Sequence, residues 1–213
     1  MSPIIPENRT VENRTVESPV NMWRPLAIGL LVALLAGCGI NNIPTYDEAA
    51  KAAWADVQNQ YQRRADLVPN LVETVKGYAA HESETLQAVV EARAKVGSMQ
   101  MSGDMLSDPA KMKAFEENQA QLTGALSRLL VVVEKYPDLK ANQNFLALQS
   151  QLEGTENRIA VARRDYIGAV QRYNTELRTF PGLIWYKVMY GDMQPRATFE
   201  APAETATAPA VKF

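Results

Sequence analysis

Few side chains in this sequence could do chemistry, and each sets a limit. The one cysteine, Cys38, offers a thiol nucleophile. A single thiol makes no internal disulfide and no cysteine-based zinc site. The one histidine, His81, sits in His81-Glu82-Ser83-Glu84 with no second histidine four residues on, so the helical two-histidine zinc pattern fails. Di-iron bundles use Glu-x-x-His, and Tyr78 occupies the position three before His81. His81 is expected on the surface or at a cap. Ser127 and Ser150 have no histidine and carboxylate context for a triad. Gly97-Ser98 and Gly103 lack the spacing and the lysine of a phosphate loop. No catalytic residue, metal site or cofactor is expected.

Composition narrows the field further. Hydrophobic residues are 46% and charged residues 22% of the 213, which is globular usage. Lys plus Arg is 22 against 24 Asp plus Glu, a net charge of −2. No basic field recruits nucleic acid.

The thiol has a context. Residues 26–37 read LAIGLLVALLAG, an uncharged run preceded by Arg24. The run is shorter than the roughly 20 residues of a bilayer span and fits a secretory signal. Its end, Leu35-Ala36-Gly37-Cys38, resembles a bacterial lipobox, a signal cut before the cysteine, whose thiol is then acylated. Cys38 is therefore the expected lipidation site. An uncleaved span from about Pro25 to Ile43 is the alternative, which would make a single-pass membrane protein. Either way the body is expected in the bacterial cell envelope, facing the periplasm. Gly39 stands where lipoproteins retained in the inner membrane carry Asp, which favours the outer membrane. Residues 1–21 repeat ENRTV in tandem and have no apolar periodicity. Translation is expected to start at Met22.

The body, from Asp47 to Phe180, reads as helix. Ala50, Val57, Leu71, Tyr78 and Ala92 lie on one seven-residue series, with Arg64 and Thr85 in its gaps. Trp54, Tyr61, Val68, Val75, Val89 and Val96 lie on a second, broken by Glu82. Offsets of four and three between them make a bundle seam. Pro69 interrupts it. The order Arg63, Arg64, Asp66, Pro69 predicts a corner, with Asp66 capping a second helix that runs to about Val96. A kinked but continuous helix is the alternative. Asp108-Pro109 predicts the start of a helix to Glu134, with Met112, Phe115, Gln119, Leu122, Leu126, Leu129 or Leu130 and Val133 inward. The last long helix is predicted over about Asn144–Thr179, with a stripe from Phe145 to Leu177. LIWYKVMY, residues 183–190, is expected to cover the bundle end, with an exposed docking patch as the alternative. From Gly191 the chain is rich in Ala, Pro and Thr, and disorder is expected.

The expected fold is thus all-α: a bundle of four long helices with a disordered C-terminal tail. The divisions are 1–37 signal, with 1–21 an extension, 38–46 linker, 47–190 helical body and 191–213 tail. Arg64 is the odd residue, because a charge on the apolar series is costly unless paired. Glu156 or Asp165 on the last helix is its expected partner, in a buried clamp or in a site for an acidic group.

Long stretches then resemble one family. Tyr46-Asp47-Glu48-Ala49, RRADLVPNLVETVKGYAAHE (63–82) and YPDLKANQNFLALQSQLEGTENRIAVARRDYIGAVQRYNTELRTFPG (136–182) resemble the LemA family. Ile167 departs from its pattern, which more often has Asn there. The family's members are often held by a transmembrane helix rather than a lipid. The resemblance implies an antiparallel up-and-down four-helix bundle of long helices displayed from a bacterial membrane, with no enzymatic activity. It marks Arg63, Arg64, Asp66, Pro69 and Asn70, and Asn157, Arg158, Arg163, Tyr166, Tyr173 and Asn174, as structural or partner contacts. The expected function is a membrane-anchored scaffold or adaptor touching the membrane through acylated Cys38. Its expected partners are unidentified envelope proteins or further copies of itself. A membrane-organising or lipid-binding protein is the alternative.

Overall fold

The computed structural model describes residue 29, residues 39–98 and residues 103–199. Cys38, most of the apolar run, the ENRTV repeat and the chain beyond Phe199 lie outside the described residues. The chain divides into two units, residues 1–40 and 41–213, and every element named below belongs to the second.

Among the described residues the fold is all helical, with no strand. In order come α1 (Asn42–Lys76), α2 (Ser83–Ser98), a 3-10 helix (Gly103–Ser107), α3 (Pro109–Val133), the short α4 (Pro137–Lys140), α5 (Gln143–Glu176) and α6 (Gly182–Met189). The 35 residues of α1 make a rod of about 52 Å. Helix starts follow capping chemistry. The Asp108 carboxylate accepts from the N–H groups of Ala110 and Lys111 at 2.9 and 3.2 Å, with Pro109 behind it in the first turn. Asn142 accepts in the same way from Asn144 and Phe145.

Three apolar clusters run along the rod. One joins the C-terminal half of α1 (Val68, Leu71, Val75) to α2, the C-terminal half of α3 and the start of α5. The second joins Trp54, Val57 and Tyr61 of α1 to Met112 and Phe115 of α3 and to Ile159, Tyr166 and Val170 of α5. The third, at the end, joins Ile43 to Tyr173 and Leu177. The start of α1 therefore meets the end of α5, and the two helices run in opposite directions. The expected inward stripe of α3 is buried, with Leu129 rather than Leu130 facing in.

Three expectations need correction. There is no corner at Pro69: α1 continues through it to Lys76, as in the kinked-helix alternative. Proline cannot donate to the Ala65 carbonyl, and a buried carbonyl without a donor is costly. The Arg93 Nε–H, from α2, donates to that oxygen at 3.1 Å and replaces the missing bond. The break falls instead at residues 77–82, so Tyr78, on the expected seam, is exposed and Leu86 takes a buried place. Lys76-Gly77 and Ser83-Glu84 are an ordinary helix stop and start.

Second, the linker is shorter than expected, because Asn42–Tyr46 already belong to α1 and Ile43 is fully buried. Third, residues 191–199 are not a disordered tail. They run non-helically along the body as a strap and end with Phe199 buried in the second cluster.

At the rod end, α6 both covers and exposes. Trp185, Tyr186 and Tyr190 pack on Ile43, Tyr173 and Leu177. Phe180, Ile184, Val188 and Met189 stay exposed. Gly182 permits this fold-back, because a Cβ there would overlap the Glu176 carbonyl oxygen.

If Arg93 replaces the bond that Pro69 removes, Arg93→Ala costs about 1–2 kcal/mol in urea unfolding. In a Pro69→Ala background the restored N–H meets Ala65, and the cost of Arg93→Ala falls by at least half. Equal costs in both backgrounds refute the compensation.

Candidate functional site

Two polar constellations interrupt the apolar core. The first is midway along the rod. Arg64 of α1 is 1% exposed. Its Nη1 donates to Glu156 Oε1 of α5 at 2.8 Å and to Thr123 Oγ1 of α3 at 2.9 Å. Its Nη2 donates to the side-chain oxygen of Gln119, also on α3. The guanidinium lies 5.1 Å from the centre of the Tyr61 ring. Three helices thus share one cation, and Glu156, with a 40% exposed side chain, connects it to water. Asp165, the other expected partner, lines a surface groove instead. Nearby, Arg163 of α5 pairs with Glu116 of α3 at 3.0 Å, tying the same helices again. Burial pushes the Tyr61 phenol up, against the opposing pull of Arg163 and Arg64.

The second constellation holds the strap. Arg196 reaches Asp47, a carboxylate 3% exposed on the first turns of α1, through Nε and Nη2, both at 2.7 Å. Its Nη1 donates to Ser107 Oγ at 2.6 Å. The Asn174 side chain donates to the Arg196 carbonyl and accepts from its N–H, both at 2.9 Å. The phenols of Tyr166 and Tyr173 donate to the carbonyls of Ala197 and Gln194 at 2.7 and 3.1 Å. Burial pushes both phenols above the ordinary tyrosine range, which keeps them protonated as donors. Phe199 then enters an aromatic box with Trp54 and Tyr166, and the Arg163 guanidinium lies 4.2 Å over its ring.

The marked residues therefore separate by role. Arg64 and Arg163 clamp helices. Tyr166, Tyr173 and Asn174 hold the strap. Asn157 and Arg158 line an exposed groove of about 350 Å³ with Asp56 and Gln60 of α1. Arg63, Asp66, Pro69 and Asn70 are exposed on α1, and Asp66 accepts from Gln62 at 2.8 Å rather than capping a helix. Sequence reasoning missed Asp47, Ser107, Arg196 and Phe199. Asp47 carried a signal, because it lies seven residues before Trp54 on the second apolar series. The Pro-rich composition around Arg196 hid the other end. Among the described residues, no group of three or more His, Cys, Asp or Glu is placed to hold a metal.

Removing Arg64 leaves Gln119 without its partner and opens a hole between three helices. Arg64→Ala is therefore expected to cost about 3 kcal/mol or more. Glu156→Gln keeps an amide oxygen as acceptor at a half-wet position but removes the opposite charge, and costs less, about 1–2 kcal/mol. Urea unfolding of the two variants checks the order, and the reverse order refutes the clamp.

Magnetosome protein MamQ 2 of Paramagnetospirillum magneticum is 29% identical over 186 residues, covering 79% of this chain and 68% of that protein. Magnetosome protein MamQ of Magnetospirillum gryphiswaldense is 27% identical over the same length. Protein LemA of Metamycoplasma hominis is 25% identical over 124 residues, 58% of this chain and 52% of that one. The LemA family model matches residues 53–213, which takes in the Arg64 clamp, the whole of α2 to α6 and the strap. The chain belongs to the LemA family.

Proposed function

We propose that this protein is a membrane-anchored helical scaffold or adaptor of the bacterial cell envelope, an up-and-down four-helix rod without catalytic activity. The observation that carries the reading is where the rod begins. α1 starts at Asn42, four residues after Cys38 in the sequence. Four residues span at most about 14 Å. An acyl group on Cys38 would therefore hold the start of α1, the end that α6 closes, within that reach of the bilayer. Several acyl chains hold stably, because each buried methylene is worth about 0.8 kcal/mol. The Arg64 cluster supports a structural rather than a catalytic reading, since its contacts go to three helices of the same rod.

The partners in this reading are envelope proteins or further copies of the chain. This reading puts the body on the periplasmic face, with the outer membrane ahead of the inner, because Leu-Ala-Gly-Cys-Gly resembles a lipobox without the inner-membrane Asp. Among the described residues, no helix is long and apolar enough to cross a membrane. Apart from Gly29, the apolar run 26–37 lies outside the described residues.

A second reading, membrane organisation, is favoured by α6. Ile184, Val188 and Met189 are about half exposed or more, and Phe180 is 82% exposed. They lie at the tethered end, with Lys187 in the last turn of α6. An apolar face flanked by a cation suits a lipid surface.

Cross-linking in native membranes, followed by solubilisation and mass spectrometry, tests the first reading. One dominant partner should appear and should be lost in Cys38→Ala, and the mature N-terminus should be acylated Cys38. Recovery at background levels with the anchor intact sinks the adaptor. Flotation of residues 41–213 with anionic vesicles tests the second. Binding should fall at least ten-fold with Ile184→Asp and Val188→Asp together; no flotation of the unaltered segment refutes it.

A further inference from the structure

The strap is held in a manner that a mere cover for the core does not require. Of residues 194–199 only Phe199 is buried, while Gln194, Pro195 and Thr198 are exposed. Little apolar area therefore explains its fixed path. Directional bonds explain it instead, and they fall into two kinds.

The first kind reads the main chain. Tyr173 donates to the Gln194 carbonyl, and Asn174 satisfies both the N–H and the C=O of Arg196. Tyr166 donates to the Ala197 carbonyl, and the Ala197 N–H donates to the Leu106 carbonyl of the 3-10 helix at 2.6 Å. These contacts hold an extended backbone whatever its side chains. The second kind reads side chains. Asp47 and Ser107 take a guanidinium at position 196, and the box around Trp54 and Tyr166 takes a ring at position 199. Main-chain bonds for affinity and separate pockets for specificity are how extended peptides are recognised.

None of these contacts needs the strap to be covalently joined to the body. We propose that this groove is a binding site for an extended peptide bearing an arginine and, three residues on, an aromatic ring, and that residues 194–199 are its ligand in cis. A tether this short gives the internal segment an effective concentration in about the millimolar range, so it holds the site even at modest intrinsic affinity. A competing peptide has an edge to start from. A cleft of about 370 Å³ lined by Ile167, Gln171, Asn174, Arg178 and Thr198 runs beside the strap. The inference deepens the adaptor reading and rests on it for its biological use, but the affinity is measured apart from any membrane.

The probe is a fluorescein-labelled peptide of residues 193–199, MQPRATF. The receptor is the full chain with Arg196→Ala and Phe199→Ala, which empties both pockets and leaves Lys51 as the cation beside Asp47. Fluorescence anisotropy should show this chain binding the peptide at least ten-fold tighter than the unaltered chain, whose own strap competes. Adding Asn174→Ala should weaken binding at least ten-fold. So should replacing either the arginine or the phenylalanine of the peptide by alanine. If the opened chain, with native helical circular dichroism, binds no tighter than the unaltered one, the proposal is overturned. Equal binding of a scrambled peptide overturns it as well.

Should the opened chain fail to fold, a protease site placed at Gly191-Asp192 lets the strap be cut after folding of the otherwise unaltered chain. Labelled peptide should then exchange for the cut strap, and no exchange overturns the proposal. Light scattering over a range of concentrations distinguishes the sources of the peptide. A dimer of the unaltered chain that is lost with Phe199→Ala identifies a second copy. A monomer that still takes the labelled peptide identifies another chain. A dominant cross-linked partner with no peptide binding would leave the adaptor standing and remove only this site.

Discussion

Arg64 and Asp47 both lie on the apolar side of α1, at 1% and 3% exposure, and each meets an opposite charge from another element of the chain. A charged side chain withdrawn from water costs several kcal/mol unless it is paired and hydrogen-bonded. Arg64 finds Glu156, with Thr123 and Gln119 accepting further bonds from its two Nη groups. Asp47 finds Arg196, with Lys51 sharing its second oxygen at 3.0 Å. Hydrophobic contact along a seam is non-directional and tolerates sliding by a turn. These two pairs oppose it, since a slip of α5 takes the carboxylate from Arg64 and a slip of the strap leaves Asp47 with Lys51 alone. They set the register of helices whose apolar faces would otherwise fit in several ways.

The two pairs differ in what they join. Arg64 ties helix to helix, with Arg163 and Glu116 repeating the link between α3 and α5. Asp47 ties helix to strap, and the strap is the part of the described body that owes least to the apolar effect. Its aromatic end completes the cluster of Trp54, Phe115 and Tyr166, so the polar clamp and the ring box act on one segment six residues long. Arg163 serves both systems, pairing with Glu116 and lying over the Phe199 ring. A change at the strap is therefore felt at the α3–α5 contact.

Pro69 shows the same logic in the backbone. A proline within a helix removes one donor, and the chain around it commonly bends or ends. Here Arg93 is brought by packing to the orphaned Ala65 carbonyl. The donor comes from 28 residues away, so local reading around Pro69 had no access to it.

The sequence by itself determined the helices and the core. Seven-residue spacing assigned Trp54, Val57, Tyr61 and Val68 to the interior, and Asp108-Pro109 placed the start of α3. It also identified Arg64 as a charge in need of a partner and named Glu156 as one of two candidates. Those features are local or periodic, and periodicity is set by the 3.6-residue turn. Tertiary structure alone decided what depends on residues far apart in the chain. It chose Glu156 over Asp165, because only one of them faces the Arg64 side of α5. It carried α1 through Pro69 by supplying Arg93, and it turned residues 191–199 from a compositional tail into a strap. Composition fails there because six residues held by a buried carboxylate 149 positions earlier need no core of their own.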